Sequence, residues 1–471
     1  MAKEKITTNK DGTKRALSNR LVQMIAIGGT IGTGLFLGSG TTIHKVGPSI
    51  LLVYLIIGLF MFFMMRAIGE MFYSDPSKHT FVSFISRYLG PSAGHFSGWT
   101  YWLGLIFSCM AELTAIASYV QFWLPGIPTW FIEVFFLGVL MTVNLIAARI
   151  FGEAEFWFSM IKIFAILALI FTGIFMAFGH ATTPVGHASL NNIFQNFTLF
   201  PRGSFNFISS FPMVFFAFIG IEFVSITIGE SKAPRKVLKK AVNETLLRIL
   251  IFYLGALVAI MLIIPWNTLS ASSSPFVQVF KIAGIPAAAS IINFVVLTSA
   301  ASSLNSCIFS GARHFYQLSD EMPKGNFMHK KFATISKNGV PSAAIIFTST
   351  LVLIAPLLSL FKGVASSFTI VTGSSSDMTI IVYLLTMVAH RKYRASKDFL
   401  PKNKGFLMPG YNIISPITIA FFALVFVSLF TLPDDVIGAI GAIIWTVVFG
   451  GITYLRQRKE KKNIVSEDIN D

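Results

Sequence analysis

The stretch Gly28–Gly34 reads Gly-Gly-Thr-Ile-Gly-Thr-Gly and lies inside the first apolar segment of the chain. Four glycines in seven residues make a poor helix interior, because each glycine costs about 1 kcal/mol relative to alanine. In a bilayer, a helix that opens there leaves backbone N–H and C=O groups without partners, so the opening must face protein, water or a ligand. The stretch therefore predicts an interrupted helix.

Two interpretations of this interruption are open. A half-helix that begins after it would present backbone N–H groups, at the positive end of its dipole, to an anion such as a carboxylate. Interrupted helices of this kind form the substrate sites of secondary transporters. In the other interpretation, the glycines only allow neighbouring helices to pack closely.

The composition is typical of a membrane protein. Of the 471 residues, 54% are hydrophobic and 12% are charged, whereas a soluble domain has roughly 25% charged residues. Long apolar runs recur along the whole chain, which predicts a polytopic membrane protein. Both cysteines, Cys109 and Cys307, lie inside apolar segments, so we expect no disulfide framework. No cleavage motif follows the first apolar segment, so we expect no signal peptide.

Twelve segments are each long enough to cross a bilayer, which takes about 20 apolar residues. The sequence therefore predicts an all-α fold of about twelve transmembrane helices, with tails at residues 1–19 and 456–471. Very short connections at residues 125–126 and 361–363 predict antiparallel neighbours. The predicted spans are 20–43, 48–73, 95–124, 127–148, 155–179, 205–230, 244–265, 286–316, 341–361, 364–389, 412–431 and 434–455.

The lysines and arginines are unevenly distributed between the connections. Of the 37 in the chain, Lys162 falls within a span, and the connections on the side opposite the N-terminus hold only four. This asymmetry is the positive-inside pattern, and it predicts that both termini are cytoplasmic. It also accounts for the net charge of +16 without nucleic acid as a partner. The four exceptions are Lys45, Arg202, Lys281 and Lys362.

The sixth span contains a second candidate interruption, Phe216–Glu222, where Gly220 lies close to a carboxylate. The first and sixth spans are five apart, as expected if spans 1–5 and 6–10 are inverted repeats. Two weakened helices at matching positions favour a binding site over close packing alone.

Ionisable side chains within predicted spans include Glu112, Lys162, Glu222 and Asp377. Such groups are costly in lipid and usually face the interior of the bundle, where they bind ligands or carry protons. The alternative is that each forms a structural pair or snorkels to a membrane surface. Burial disfavours the charged form of a lone lysine, so we predict that Lys162 carries a coupling proton, with Glu222 the next candidate.

The eighth span is rich in small polar residues over Thr298–Ser306. These residues let helices pack closely and hydrogen-bond, and helix packing is the role expected for most of them. They could equally line a substrate or cation site. Ser108 and Asn305 are predicted as ligand contacts.

Several motifs together resemble the amino-acid transporter family of the amino acid–polyamine–organocation superfamily. The likeness covers the chain from about residue 17 to about residue 455, and it is greatest to the bacterial D-serine/D-alanine/glycine permeases. It implies a leucine-transporter-type fold with broken helices 1 and 6, two inverted five-helix repeats at 20–389 and two peripheral helices at 412–455. The motifs are Gly28–Gly34, Met65–Met71, Gly98–Trp102, Gln121–Pro125, Phe151–Phe158, Phe216–Glu222, Ser274–Val277 and Ile285–Ser303.

The resemblance also implies roles for particular residues. The carbonyls near Phe216, Ala217 and Phe218 would accept the substrate ammonium, and the Phe216 ring would close over the substrate. The substrate carboxylate would bind in the first interruption, at Thr30, Gly32, Thr33 and Gly34.

In the fifth span, the resemblance implies that Lys162 replaces the sodium ion of sodium-coupled relatives. It would bridge carbonyls near Ala26 to the hydroxyl of Ser302 or Ser303. Glu112 and Asp377 depart from the pattern of the D-serine/D-alanine/glycine permeases, and both could alter the pocket for the substrate side chain. The role of Asp377 stays open.

These observations predict a secondary active permease of the plasma membrane, in a bacterium, that imports a small neutral amino acid with protons. Glycine, alanine or serine is the expected substrate, with D-enantiomers included. The alternatives are an amino-acid exchanger, or a permease for another class such as aromatic amino acids or GABA. No cofactor, metal or enzymatic activity is expected, and the oligomeric state is left open.

Overall fold

The fold is known from a computed structural model, and it is almost entirely helical. The described residues include two hairpins of two-residue strands, in which β1 (Thr7–Thr8) pairs with β2 (Lys14–Arg15) and β3 (Thr182–Thr183) pairs with β4 (Gly186–His187). The predicted all-α class is confirmed. The structure describes residues 7–8, 14–15, 24, 27–76, 80–146, 148–194, 197–228, 234–271, 273–400, 406–431 and 436–467.

The helices of the described ranges are numbered in chain order. They are α1 Thr33–Phe36, α2 Gly38–Val46, α3 Ile50–Ser74, α4 Val82–Leu89, α5 Pro91–Gln121, α6 Thr129–Ile146, α7 Ala148–Phe178, α8 Asn191–Phe194, α9 Ser204–Ile208, α10 Phe211–Phe216, α11 Phe223–Ile228, α12 Pro234–Ile263, α13 Pro275–Ile282, α14 Pro286–Asp320, α15 Phe327–Phe332, α16 Ser342–Val352, α17 Ile354–Lys362, α18 Val364–Arg394, α19 Tyr411–Leu429 and α20 Val436–Glu467.

Within the described ranges, ten helical segments are long and apolar enough to cross a membrane. Large apolar side chains lie on their outer surfaces, among them Phe175, Phe178 and Phe361, each at least 80% exposed. Side chains of this kind are stable against lipid and not against water, so a multi-pass membrane protein follows. The count of twelve spans, the inverted repeats and the boundaries of core and tails stay predictions.

Several predicted connections contain helices of their own. The segment after the second span forms α4, the one before the eighth forms α13, and the one after it forms α15. Hydropathy does not mark these helices as spans, because each has at most eight residues and is too short to cross a bilayer. The predicted ninth span divides at Leu353 into α16 and α17.

Long helices enclose the residues singled out in the sequence. Helix α5 packs along α14 and α18, and α12 packs along α3 and α7. The predicted first and sixth spans lie among these helices as shorter pieces. The first leaves helical geometry at Ile31 and Gly32, and the sixth forms turns from residue 217 to residue 222.

The two interrupted segments touch each other through their backbones, on either side of the break at Ile31 and Gly32. A Cβ atom added at Gly34 would lie 2.5 Å from Ala217 Cα, and one added at Gly220 would lie 2.6 Å from the Gly29 carbonyl oxygen. Gly220 also has a φ of +101°, a backbone conformation that residues with a Cβ atom rarely adopt. Glycine is therefore required at both contacts.

Candidate functional site

The four carbonyls before the first interruption, at residues 28–31, accept hydrogen bonds from side chains of other helices. A helix end leaves four such carbonyls without intrahelical donors, and an apolar environment offers no water to replace them. Three helices, α7, α12 and α14, therefore hold this end in place. The bonds run from Lys162 Nζ to Gly28 O (2.5 Å) and Ile31 O (3.0 Å), from Ser303 Oγ to Gly29 O (3.3 Å), from Tyr253 OH to Thr30 O (2.9 Å) and from Ser299 Oγ to Ile31 O (3.0 Å).

On the other side of the interruption, the Thr33 backbone N–H donates to a carboxylate. Its nitrogen lies 3.2 Å from Glu112 Oε1 and 3.3 Å from Oε2. Gly32 makes room for this contact, since an added Cβ would collide with Glu112 Oε1 and with Ser303. The Thr33 hydroxyl is buried and has no hydrogen-bond partner among the described residues. The N–H that the family resemblance gives to a substrate carboxylate is thus bonded to Glu112.

Lys162 is fully buried and interacts electrostatically with two carboxylates, Glu155 and Glu112. Glu155 is also fully buried, and its Oε1 accepts a hydrogen bond of 2.6 Å from Ser302 Oγ. A buried charge is tolerated when an opposite charge and hydrogen bonds compensate it, and this cluster meets that condition. The three ionisable groups lie around the first interruption.

The contacts of Lys162 differ from those expected in one respect. Its amine binds carbonyls of the first predicted span, but Ser302 donates to Glu155 and Ser303 donates to Gly29. The link to α14 runs instead through the Ile31 carbonyl, which accepts from both Lys162 and Ser299. Ala26 lies outside the described residues.

At the second interruption, the predicted carbonyls already have donors. Ala217 O accepts from Tyr253 OH at 2.8 Å, Phe216 O from the backbone N of Ile219 at 3.1 Å, and Phe218 O from that of Ile221 at 3.4 Å. A carbonyl oxygen has two lone pairs, so each can accept a further hydrogen. The buried Phe216 ring meets Phe368 edge to face, with the ring centroids 6.4 Å apart.

Glu222 is held by three donors. Tyr101 OH lies 2.9 Å from its Oε1, and its Oε2 accepts from Tyr383 OH at 2.7 Å and from the Gly220 backbone N–H at 3.0 Å. These contacts connect α5 and α18 to the second interruption. All three contacts donate hydrogens to the carboxylate and therefore hold Glu222 in place at the second interruption.

The remaining predicted residues lie at helix–helix contacts. Ser108 Oγ is 3.6 Å from Cys307 Sγ, and Asn305 Oδ1 accepts from Asn144 Nδ2 at 2.7 Å. Asp377 lies against α20, since a Cβ added at Gly438 would be 3.2 Å from its Oδ2. The structure thus groups the residues of both interruptions with Glu112, Lys162 and Glu222.

Two residues of this group were not predicted from the sequence. Glu155 precedes Lys162 by seven residues, which is two helical turns and places both on one face of α7. That spacing could have identified it. Tyr253 bonds to a carbonyl of each interruption, but nothing in the apolar sequence around it marks it.

Comparison with known proteins agrees with this architecture. The family model for amino acid permeases matches residues 21–464. The DL-alanine permease SerP2 of Lactococcus lactis is 48% identical, over 96% of this chain and 97% of its own. The serine permease SerP1 of the same organism is 46% identical, over 94% and 98%.

The D-serine/D-alanine/glycine transporter of Escherichia coli K12 is 42% identical, over 90% of this chain and 89% of its own. The similarity to that group of permeases is thereby confirmed, and the two Lactococcus permeases are more similar still. All of these relatives are permeases or transporters and none is an enzyme, as the sequence predicted. The family match and the identities extend over almost the whole chain, which therefore belongs to the amino acid permease family.

Proposed function

We propose that this permease imports a small neutral amino acid across the bacterial plasma membrane together with a proton. The names of the relatives support alanine, serine or glycine as the substrate. The observation that carries the proposal is the Thr33 N–H, which lies where two interrupted helices meet and is already bonded to a carboxylate. A donor that holds the carboxylate of Glu112 can hold that of an amino acid.

In the proposed complex, the substrate lies between the two interruptions. Its ammonium would use the second lone pairs of the carbonyls at Phe216, Ala217 and Phe218. The close approach of Gly34 to Ala217 supports a small side chain, because a larger one would force the backbones further apart. Its carboxylate would use Thr30, Gly32, Thr33 and Gly34, with Glu112, Ser108 and Asn305 nearby.

We propose that Lys162 carries the coupling proton, because its amine links α7 to two carbonyls of the first predicted span. When charged, the amine would hold the helix end at residues 28–31 against α7 and α14. When neutral, it would bind the carbonyls more weakly and let the helices move. A proton gradient shifts such an equilibrium only through different affinities in the two arrangements, and a charge in a low dielectric supplies that difference.

Uptake into proteoliposomes tests both parts of the proposal. With tritiated alanine as the probe and both enantiomers of every amino acid as competitors, alanine, serine and glycine should compete best. At saturating alanine, where a change in affinity no longer affects the rate, an acidic exterior should accelerate uptake by the wild type and not by Lys162→Ala, which should still bind alanine. If a bulky or cationic amino acid competed best, the proposal of a small neutral substrate would be wrong.

Two results would contradict the proposed mechanism. If Lys162→Ala responded to the gradient as the wild type does, the coupling proton would lie on another group. If uptake required amino acid inside the liposomes, which a counterflow assay measures, the protein would be an exchanger.

A further inference from the structure

The bond between Thr33 and Glu112 has a consequence for substrate binding. The Thr33 N–H has a single hydrogen, and Glu112 receives it nearly equally on both oxygens, at 3.2 and 3.3 Å. Glu112 is 3% exposed, so water does not replace this donor readily. Beside it, the buried Thr33 hydroxyl also faces the Glu112 carboxylate, without a hydrogen bond of good geometry to any described residue. A second carboxylate at this N–H must therefore displace the first.

We propose that Glu112 competes with the carboxylate of the substrate for the Thr33 N–H, and that it takes up a proton from solution when the substrate displaces it. This proposal rests on the proposed function. It gives Glu112 a role other than lining the pocket, since its carboxylate accepts the hydrogen bond from the Thr33 N–H when no substrate is bound.

Electrostatics supports the uptake of a proton. Two carboxylates that share one donor repel each other strongly in a low dielectric, and one of them then binds a proton. The titratable groups that face Glu112 among the described residues are Lys162 on α7, Tyr253 on α12, and Cys109 and Tyr119 on its own helix. Of these, Lys162 alone is a cation, and it also interacts with Glu155. One cation shared in this way does not neutralise a third carboxylate.

The proposal fixes the sign of the pH dependence. Because the protonated form of Glu112 releases the donor, substrate affinity rises as the pH falls. Linkage requires the reciprocal effect, so substrate binding draws protons from solution. This proton is separate from the one proposed on Lys162, which acts on the carbonyls at Gly28 and Ile31.

Equilibrium binding of tritiated alanine to the purified wild-type protein, measured across a pH series, tests the proposal. Where Glu112 is ionised in the free protein, the Kd should rise about tenfold per pH unit. In weakly buffered solution with an indicator dye, binding should take up about one proton per alanine. Wild-type protein that binds alanine without proton uptake would overturn the proposal and leave the proposed function intact.

Variants then assign the effect to Glu112. Glu112→Gln should bind alanine with a Kd that no longer depends on pH and with no proton uptake, and Glu112→Asp should restore both. Glu133→Gln is the matched control, because Glu133 is a buried carboxylate on α6 that accepts from Ser359 Oγ at 2.8 Å. Glu133→Gln should show the same dependence of the alanine Kd on pH, and the same proton uptake, as the wild type.

The outcomes separate the two proposals. A pH dependence of Glu112→Gln equal to that of the wild type would overturn the role of Glu112 alone. Failure of the wild type to bind alanine, serine or glycine at any pH would overturn the proposed function, and this inference with it.

Discussion

A substitution at Thr33 can test substrate binding with little effect on the stability of the protein. It is fully buried, and its hydroxyl makes no hydrogen bond to the described residues. Thr33→Val therefore keeps the shape of the side chain and removes a hydroxyl that makes no hydrogen bond of good geometry to the described residues. We expect an unchanged melting temperature and an alanine affinity weaker by about 1–3 kcal/mol.

Thr386→Val is the matched control for this change, because the buried Thr386 hydroxyl donates to Val382 O within its own helix. It should leave the affinity unchanged. Equal affinities for the wild type and Thr33→Val would remove this hydroxyl from the proposed site.

Gly34 provides a second test at the level of one residue. Its Cβ would lie 2.5 Å from Ala217 Cα and 2.8 Å from Ala217 N, and backbone atoms cannot turn aside as a side chain can. We expect Gly34→Ala to force the two interruptions apart and to abolish alanine uptake, even where the protein reaches the membrane.

The control is Gly138→Ala in α6, where an added Cβ has no atom within 4 Å. It should transport alanine as the wild type does. Normal uptake by well-expressed Gly34→Ala protein would mean that the contact with Ala217 is not needed for transport.

Residue types and spacing predicted part of this site. Four glycines within Gly28–Gly34 are unfavourable in a helix, and that conflict alone indicated the position. The bond between Glu112 and Thr33 could not be predicted, because it joins residues 79 positions apart that only the packing of several helices brings together. The same holds for Asp377, whose contact with Gly438 depends on how α20 packs.

At the scale of the helices, Tyr253 connects both interruptions to α12. Its hydroxyl lies 2.9 Å from Thr30 O and 2.8 Å from Ala217 O. Tyr253→Phe leaves both carbonyls without this donor, and an unsatisfied buried group costs about 1–3 kcal/mol. We expect a lower melting temperature and slower uptake.

Melting can be followed with a thiol-reactive dye, because both cysteines are buried in the folded protein. Tyr54→Phe is the control. Its ring lies 5.6 Å from that of Tyr253, centroid to centroid, but its hydroxyl has no partner among the described residues. Equal melting temperatures for Tyr253→Phe and Tyr54→Phe would contradict the connecting role.

The lengths of elements were predicted less well than their positions. Helix α20 continues to Glu467, twelve residues beyond the end of the predicted span at residue 455, because its polar end still favours helix. Hydropathy marks where a chain can lie in lipid, whereas a helix continues for as long as its backbone bonds are favourable. Short helices such as α4 and α13 are stabilised by packing, which the sequence does not display.

For the whole molecule, the distribution of lysine and arginine predicts the orientation, and exposed cysteines can test it. His187 on β4 and Lys324 after α14 are both exposed and belong to connections predicted on opposite sides. A membrane-impermeant maleimide should label His187→Cys in intact cells and Lys324→Cys only after permeabilisation.

The wild type supplies the background for this experiment, since Cys109 and Cys307 are buried. Labelling of Lys324→Cys in intact cells would mean that the orientation in the membrane is opposite to the predicted one. Polytopic class and family were both predictable from the sequence, because they depend on composition and on motifs spread along the whole chain. The number of spans depends on how the interrupted segments are counted, which composition does not determine.

The contact between the two interruptions also bears on the speed of the transport cycle. Interlocking side chains hold packed surfaces in discrete positions, because each must change rotamer before the surfaces can slide. Gly34 against Ala217 and Gly220 against Gly29 instead place main chain on main chain. These surfaces can slide or part with no rotamer change at the contact itself. We therefore expect the hydrogen-bonded side chains around this contact, and not the contact itself, to limit the rate at which the two interrupted segments move past each other.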